Sequence, residues 1–423
     1  MRSIFALSAL LLSFAFAGCA RDDGKTTIRF WAMGREAEVV AELVEEFERE
    51  HPGIRVDLQQ IPWTAAHEKL LTAYAGDALP DIAQLGNSWV AEFAALGALE
   101  PLDARLAASP SIERADYFDG IWDTNVIDGH VLGVPWYVDT RLVFYRRDLL
   151  AAAGFAQPPR DWDEWRRAMA AVKQQAGADK YAILLPLDEF GPLLSLAIQQ
   201  DEPLLRDGDT RGNFTSTGFR AAFDFYTSMF AREWAPRMSD TQISNVWNEF
   251  ANGFFVFYIN GPWNIGEFRR RLPPGSDHLW TTAPLPGPHG DGASVAGGTS
   301  LVLFRGGENH EAAWKLVEFL SEPAVQLRFH ALTGDLPPRR STWKDPSLAD
   351  DEPSRAFLAQ LERVKPTPKV AEWERIVIEM QRAAERVARG GADADATLRA
   401  LDAEVDKILE KRRWIIAHEA EAP

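Results

Sequence analysis

The chain has 423 residues, a formal net charge of −17 and a single cysteine, Cys19. The acidic excess is a poor match for DNA, RNA or an anionic bilayer surface and disfavours strongly anionic solutes. A lone cysteine leaves no intrachain disulfide and no thiolate metal cluster, and a body of roughly 400 residues exceeds one hydrophobic core, which predicts two lobes.

Arg2 precedes an almost wholly apolar stretch, residues 4 to 17, that closes on Phe16-Ala17-Gly18-Cys19. The run is shorter than the ~20 residues a membrane-spanning helix needs. Arg21, Asp22 and Asp23 follow it, so it reads as a secretory signal. Its end resembles the lipobox of bacterial lipoproteins, which implies cleavage before Cys19 and a diacylglycerol on its sulfur. The alternative is cleavage after Ala15-Phe16-Ala17, which leaves Cys19 free. On the first reading residues 1 to 18 are the signal peptide and residues 19 to 25 a lipid-anchored leash. The body then sits in the bacterial cell envelope, periplasmic and tethered to the membrane through Cys19.

Residues 26 to 33 and 54 to 61 read as strands, and between them Val39, Val40, Leu43, Val44 and Phe47 recur at helical spacing until His51-Pro52-Gly53. Strand patterns continue at 81 to 85, 132 to 138, 141 to 146 and 181 to 187. Asp161 and Glu164 form a capping-box-like start to a helix that Gly177 stops. A helix carrying Phe219, Phe223, Tyr226 and Phe230 follows, then strands at 254 to 260 and 300 to 304, with 284 to 298 as a Pro/Gly-rich loop. Helices dominate to the end, with Leu398, Leu401, Val405, Ile408 and Leu409 on one stripe. Alternating β and α elements predict open α/β sheets with a ligand site at the carboxyl ends of strands.

Tyr137 and Asp139 lie two apart where the chain leaves an extended segment, so both can face one cleft. They either touch a ligand or fix a hinge, and Arg141 either orients Asp139 or reaches the ligand itself. Glu36 opens the helix after the first strand, where a carboxylate also gains from the helix N-terminus. Trp263, after Gly261-Pro262, is expected on a loop as a stacking ring; Trp63, Trp373 and Trp31 are secondary candidates. Gly297 and Gly298 allow close backbone approach and Thr299 can donate. Arg339 forks onto ligand hydroxyls or onto a neighbouring carboxylate. The glycine stretch lacks the following Gly-Lys-Ser/Thr of a phosphate-cradling loop, no two histidines have metal-ligand spacing, and Gly-x-Ser-x-Gly is absent.

Four blocks in fixed order carry a family resemblance. They are Gly133-Val134-Pro135-Trp136-Tyr137-Val138-Asp139 with Phe144-Tyr145-Arg146-Arg147-Asp148-Leu149, residues 250 to 257 with Gly261-Pro262-Trp263, Gly297-Gly298-Thr299, and residues 316 to 320 with Gln326. With Pro80-Asp81-Ile82 and Gly334-Asp335-Leu336 they resemble the family 1 extracellular solute-binding proteins of ABC importers, over nearly the whole chain after Cys19. The resemblance implies an α/β, two-lobed periplasmic binding protein fold of type II with a ligand cleft between the lobes. Three crossings are expected near 138, 298 and 336, giving one lobe of residues 26–138 plus 298–336 and a second of 139–297 plus 337–423. Trehalose/maltose-type members also carry Tyr-x-Asp, which implies ligand roles for Tyr137 and Asp139, and a ligand carboxylate at Glu36. Where they carry an Asp after the third strand this chain has Gly86, and Asn87 is the candidate substitute.

The resemblance further implies a monomer without catalytic residues, metal or cofactor. Such a monomer captures a di- or oligosaccharide, first of all a trehalose/maltose-type α-glucoside, and delivers it to the transmembrane subunits of an ABC permease with their ATPase. The competing expectation is an envelope glycoside hydrolase using Glu36 and Asp139 as its carboxyl pair.

Overall fold

A computed structural model describes residues 24–243 and 245–419; Cys19 and the signal-like stretch lie outside the described residues. Two sheets form the frame. In the first the strand order is Ile54–Ile61, Thr26–Met33, Ile82–Gly86, Gly298–Leu303, Val134–Val138. The first three are parallel, whereas Gly298–Leu303 returns from far along the chain and inserts antiparallel between its two neighbours. In the second the order is Trp280–Ala283, Leu142–Arg146, Phe255–Asn260, Tyr181–Leu184, antiparallel except for the last pair. Building the first sheet from two distant segments forces the chain to pass between the sheets more than once. The result is an α/β protein of two lobes.

Both faces of each sheet are covered, which is why the strands are apolar at consecutive positions. Leu301 and Leu303 enter a core with Phe30 and Trp136, while Val302 and Phe304 enter another with Leu85 and Phe93. Leu142 and Phe144 part from Val143 and Tyr145 in the same way in the second sheet. This is the period-2 alternation of a pleated strand, and each fully buried Leu, Ile or Phe contributes about 1.5–3 kcal/mol. Asp81 is buried for a structural reason: its carboxylate accepts the N–H groups of Arg29 (2.7 Å), Glu308 (2.9 Å) and Asn309 (3.1 Å). It thereby ties the first strand to the start of the helix His310–Leu320.

The helices follow the expected signals. Gly34–Glu50 buries Val40, Leu43, Val44 and Phe47 and is capped at His51. Trp162–Ala176 starts where Asp161 accepts the Glu164 N–H at 2.7 Å and stops at Gly177, whose φ of 81° few other residues adopt. Pro323–Thr333 packs on the first lobe, Glu352–Leu361 lies on the Trp280–Ala283 strand, and Trp373–Ala388 with Ala394–Ile408 close the core of the second lobe. Among the described residues no helix is long and apolar enough to cross a membrane.

Three local expectations change. Trp263 is not on a loop but begins the helix Trp263–Arg271, because Pro262 sets a helical φ of −65° at its entrance. The stretch 284–298 is partly ordered, as a Pro286–Gly287/Gly290–Asp291 hairpin followed by Ser294–Val295 paired with Val364–Lys365. The edge strand Trp280–Ala283 carries two threonines and no clear alternation, and sequence patterning missed it.

Candidate functional site

Three chain segments meet side by side between the sheets. The Val138 N–H donates to Leu336 O at 2.9 Å, and the Asp139 N–H donates to Gly297 O at 3.2 Å. Two glycines make this approach possible. A Cβ on Gly297 would lie 1.9 Å from Asp139 Oδ1, and one on Gly298, whose φ is 128°, would lie 2.2 Å from Tyr137 O. The glycines therefore seat one segment against another, a use distinct from flexibility.

Beside this junction lies a cavity of about 360 Å³ lined from both lobes. It brings together Trp63, Asn87, Asp139, Arg141, Gly297, Gly298, Thr299 and Trp373 of the expected residues, and adds Ser88, Trp89, Phe190, Gly191, Leu194 and Glu374. Glu36 and Tyr137 stand directly behind that lining. Trp63 Nε1 donates to Glu36 Oε2 at 3.3 Å, Tyr137 Oη donates to Glu36 Oε1 at 3.4 Å, and Gln84 Nε2 donates to Tyr137 Oη at 3.0 Å. The Met33 N–H, 2.7 Å from Gln84 Oε1, fixes which way that amide points. A backbone group of the first strand thus orients a chain of side chains ending in a carboxylate.

The electrostatics are dominated by acids. Burial raises the Glu36 carboxyl above its ordinary value despite hydrogen bonds from its own backbone, Trp63 and Tyr137, and the Asp139 charge adds to the effect. Asp139 is raised by burial and partly restrained by Arg141. Asp335 is pushed well above its ordinary value by burial and then by the charges of Glu36 and Asp139. The principal cation among them is Arg141, which donates from Nη1 to Asp139 O at 3.0 Å and lies 4.6 Å from the Trp263 ring centroid. Trp263 therefore reaches the site through Arg141. Such a set offers acceptors, one forked donor and several apolar ring faces, the combination that grips a neutral polyhydroxylated molecule.

Several expected residues, inside the lining or outside it, are already engaged within the protein. Asn87 accepts from Ser300 Oγ at 3.0 Å and donates to Ala296 O at 3.4 Å. Trp373 is almost fully buried and belongs to the core of the second lobe. Trp31 is half-buried with Lys69 Nζ 4.7 Å from its ring, outside the cavity lining. Of the two roles open to Arg339 the structure shows the second: Nε donates to Asp116 at 2.6 Å, and Nη1 to the carbonyls of Ser111 (2.8 Å) and Ser321 (2.7 Å). Arg339 lies outside the cavity lining. Sequence reasoning missed Gln84, although a lone amide in an apolar strand is a signal, because a buried polar group needs a partner. It also missed Asp335, in the loop after Pro323–Thr333, and Glu374, in the first turn of Trp373–Ala388, which carry no such mark.

Comparison with known proteins agrees with this architecture. The sugar-binding protein MalE from the phytopathogen Xanthomonas citri is 60% identical, with a TM-score of 0.90 over 93% of this chain and 99% of that one. The maltose-bound MalE3 of T. maritima is 26% identical, with a TM-score of 0.77 over 90% of this chain and 100% of its own. An uncharacterized lipoprotein of Streptomyces antibioticus is 27% identical over 370 residues, 82% of this chain and 79% of that protein. The family model of bacterial extracellular solute-binding proteins matches residues 34–327. With well over half its length in that match, the chain belongs to the bacterial extracellular solute-binding protein family.

Proposed function

We propose that this protein is the solute-binding component of a carbohydrate ABC importer, capturing a glucose-containing disaccharide of the maltose or trehalose type. The observation that carries the reading is the cavity of about 360 Å³ between the lobes, with acids and Arg141 for hydroxyl groups and Trp63, Trp89 and Phe190 for ring faces. Its size is at the small end of ligand sites, which suits a small saccharide. The sugar-binding relative at 60% identity and the maltose-bound relative point the same way. A solute touching both walls stabilises the closed state, with the lobes hinging near residues 138, 298 and 336, and the permease recognises that state. Cys19 carries the lipid that keeps the receptor at the membrane, and residues 20 to 25 are its leash.

A glycosidase needs one carboxyl raised and its partner left ionised. Glu36 is instead already engaged by Trp63 and Tyr137, and the relatives are solute-binding proteins, which favours the receptor. The test is a thermal-shift panel of maltose, trehalose, sucrose and cellobiose. A sugar present at 100 times its Kd adds about 2.7 kcal/mol of stability, and small-angle scattering should show compaction with the same sugar. No shift with any saccharide would overturn the assignment, and multiple turnovers of a disaccharide would replace it with hydrolysis.

A further inference from the structure

The interlobe cavity is one of three spaces in a row. Asn87, Ser88, Thr124 and Thr367, all in its lining, also line a gap of about 10 Å³. Pro366, Thr367, Pro368 and Lys369 line both that gap and an outer cavity of about 430 Å³. The gap has room for about one water molecule, so no sugar ring passes it. The outer cavity is nevertheless suited to one. Gln200, Asp201, Glu202 and Asp209 offer polar groups beside Ile198 and Leu204 in its wall. Gln200 Nε2 is buried and has no hydrogen-bond partner among the described residues, so it is a donor in want of an acceptor.

The gap is narrow where the two lobes are pinned across it. Lys369 Nζ stands 2.9 Å from Asp123 Oδ1 and donates to Val126 O at 3.0 Å. Those two partners flank Thr124, in the bend between the helix Asp119–Asp123 and the strand Val126–Ile127, and Trp122 and Val126 pack into the first-lobe core. Val370, next to Lys369, lies in the core of the second lobe. The second-lobe wall is stiff. Val364–Lys365 pairs with Ser294–Val295, the Ala296 N–H donates to Lys365 O at 2.8 Å, and Pro366 and Pro368 each fix their own φ. With side chains 30% and 50% exposed, the Lys369–Asp123 pair contributes little to stability. Its effect is on position, since one ammonium on two acceptors sets how far Thr367 stands from Thr124.

We propose that Lys369 determines the length of saccharide the site accepts: clasped to Asp123 and Val126, it closes the inner cavity at Thr367 and shuts out a chain whose next ring would lie in the outer cavity. The proposal rests on the receptor reading above and names the size class of its solute. Lys369 is a positioning residue here, acting through the separation of the two walls.

Calorimetric Kd values for maltotriose and for the tightest-binding disaccharide of the panel, in wild type, Lys369→Ala and Asp123→Asn, test this. Wild type should bind the disaccharide at least about tenfold tighter than maltotriose, the value of the hydrogen bonds the third ring cannot make. Lys369→Ala should shrink that ratio about tenfold while the disaccharide Kd moves less than about twofold. Asp123→Asn keeps the Val126 bond and should shrink it about threefold, and because its side chain is half exposed it carries the test should Lys369→Ala fold poorly. Adding Gln200→Ala to Lys369→Ala should weaken maltotriose again and leave the disaccharide alone. A clasp that only favoured closure would weaken both sugars alike. An unchanged ratio in the variants, or a wild type that binds maltotriose as tightly as the disaccharide, overturns the stop and leaves the receptor standing. If no saccharide binds the wild type, the receptor reading falls and the stop falls with it.

Discussion

Arg141 and Arg339 stand on two segments that touch through Val138 and Leu336, yet their guanidinium groups are engaged very differently. The Arg339 side chain is 8% exposed, and it is held by Asp116, two backbone carbonyls and the Tyr117 ring, whose centroid is 5.5 Å away. The Arg141 side chain is 21% exposed, makes one hydrogen bond to Asp139 O and lies over Trp263 at the edge of the cavity. An arginine has five N–H donors in a fixed fork. Arg339 has committed its fork to the protein, and Arg141 makes a single hydrogen bond with its own at the edge of the cavity. Neither residue type nor nearness to a crossing decides which arginine is available. The neighbours do.

The largest effect that would sharpen this contrast is on stability. Arg339→Ala leaves the Asp116 carboxylate and the carbonyls of Ser111 and Ser321 without their donor, and should cost about 3 kcal/mol in urea denaturation. Sugar affinity of the folded fraction should not change. Arg141→Ala should do the reverse. Its stability should stay within about 1 kcal/mol of wild type, and maltose affinity by calorimetry should fall about 10- to 100-fold, the value of a hydrogen bond to a charged group. Equal destabilisation by the two substitutions would break the comparison.

A smaller effect is expected one step further back. Tyr137→Phe removes the hydroxyl that joins Gln84 to Glu36, leaving both with one partner fewer behind the cavity wall. A loss of roughly 1 kcal/mol, or about fivefold in affinity, should follow with the fold intact. An unchanged Kd would show that the carboxylate needs no such alignment.

Much of the frame was legible because its cause is local. Residues 255–259 carry large, largely apolar side chains at consecutive positions since both faces of their sheet are covered, and the Asp161 cap and Gly177 stop announce a helix without tertiary information. Tyr137, Asp139 and Arg141 were legible as a constellation because they are neighbours in sequence. The acid set was not. Asp335 meets Glu36 and Asp139 only after the chain has crossed between the lobes, and nothing in a Gly-Asp-Leu turn foretells that burial. The choice between the two roles of Arg339 was hidden for the same reason in reverse: Asp116, its partner, is more than 200 residues away in the chain, and only the folded chain shows that the guanidinium is taken.

The weakest effect comes from acid, and it separates the two arginines by another route. Burial works to raise the Asp116 carboxyl, but hydrogen bonds from Ser341 and Arg339 outweigh it and hold the group below its ordinary value of 3.8. A depressed carboxyl contributes stability that is present above the ordinary value and is lost as pH falls through the folded one. Wild type should therefore lose part of its advantage over Arg339→Ala as the pH is lowered below about 4, because the variant has already surrendered part of what protonation removes. Arg141→Ala should track the wild type through that range, since Arg141 has no contact with Asp116. Denaturation midpoints measured at pH 7, 4 and 3 for the three proteins decide the matter. A gap between wild type and Arg339→Ala that stays constant to pH 3 would mean that Arg339 holds the segment through the two carbonyls alone.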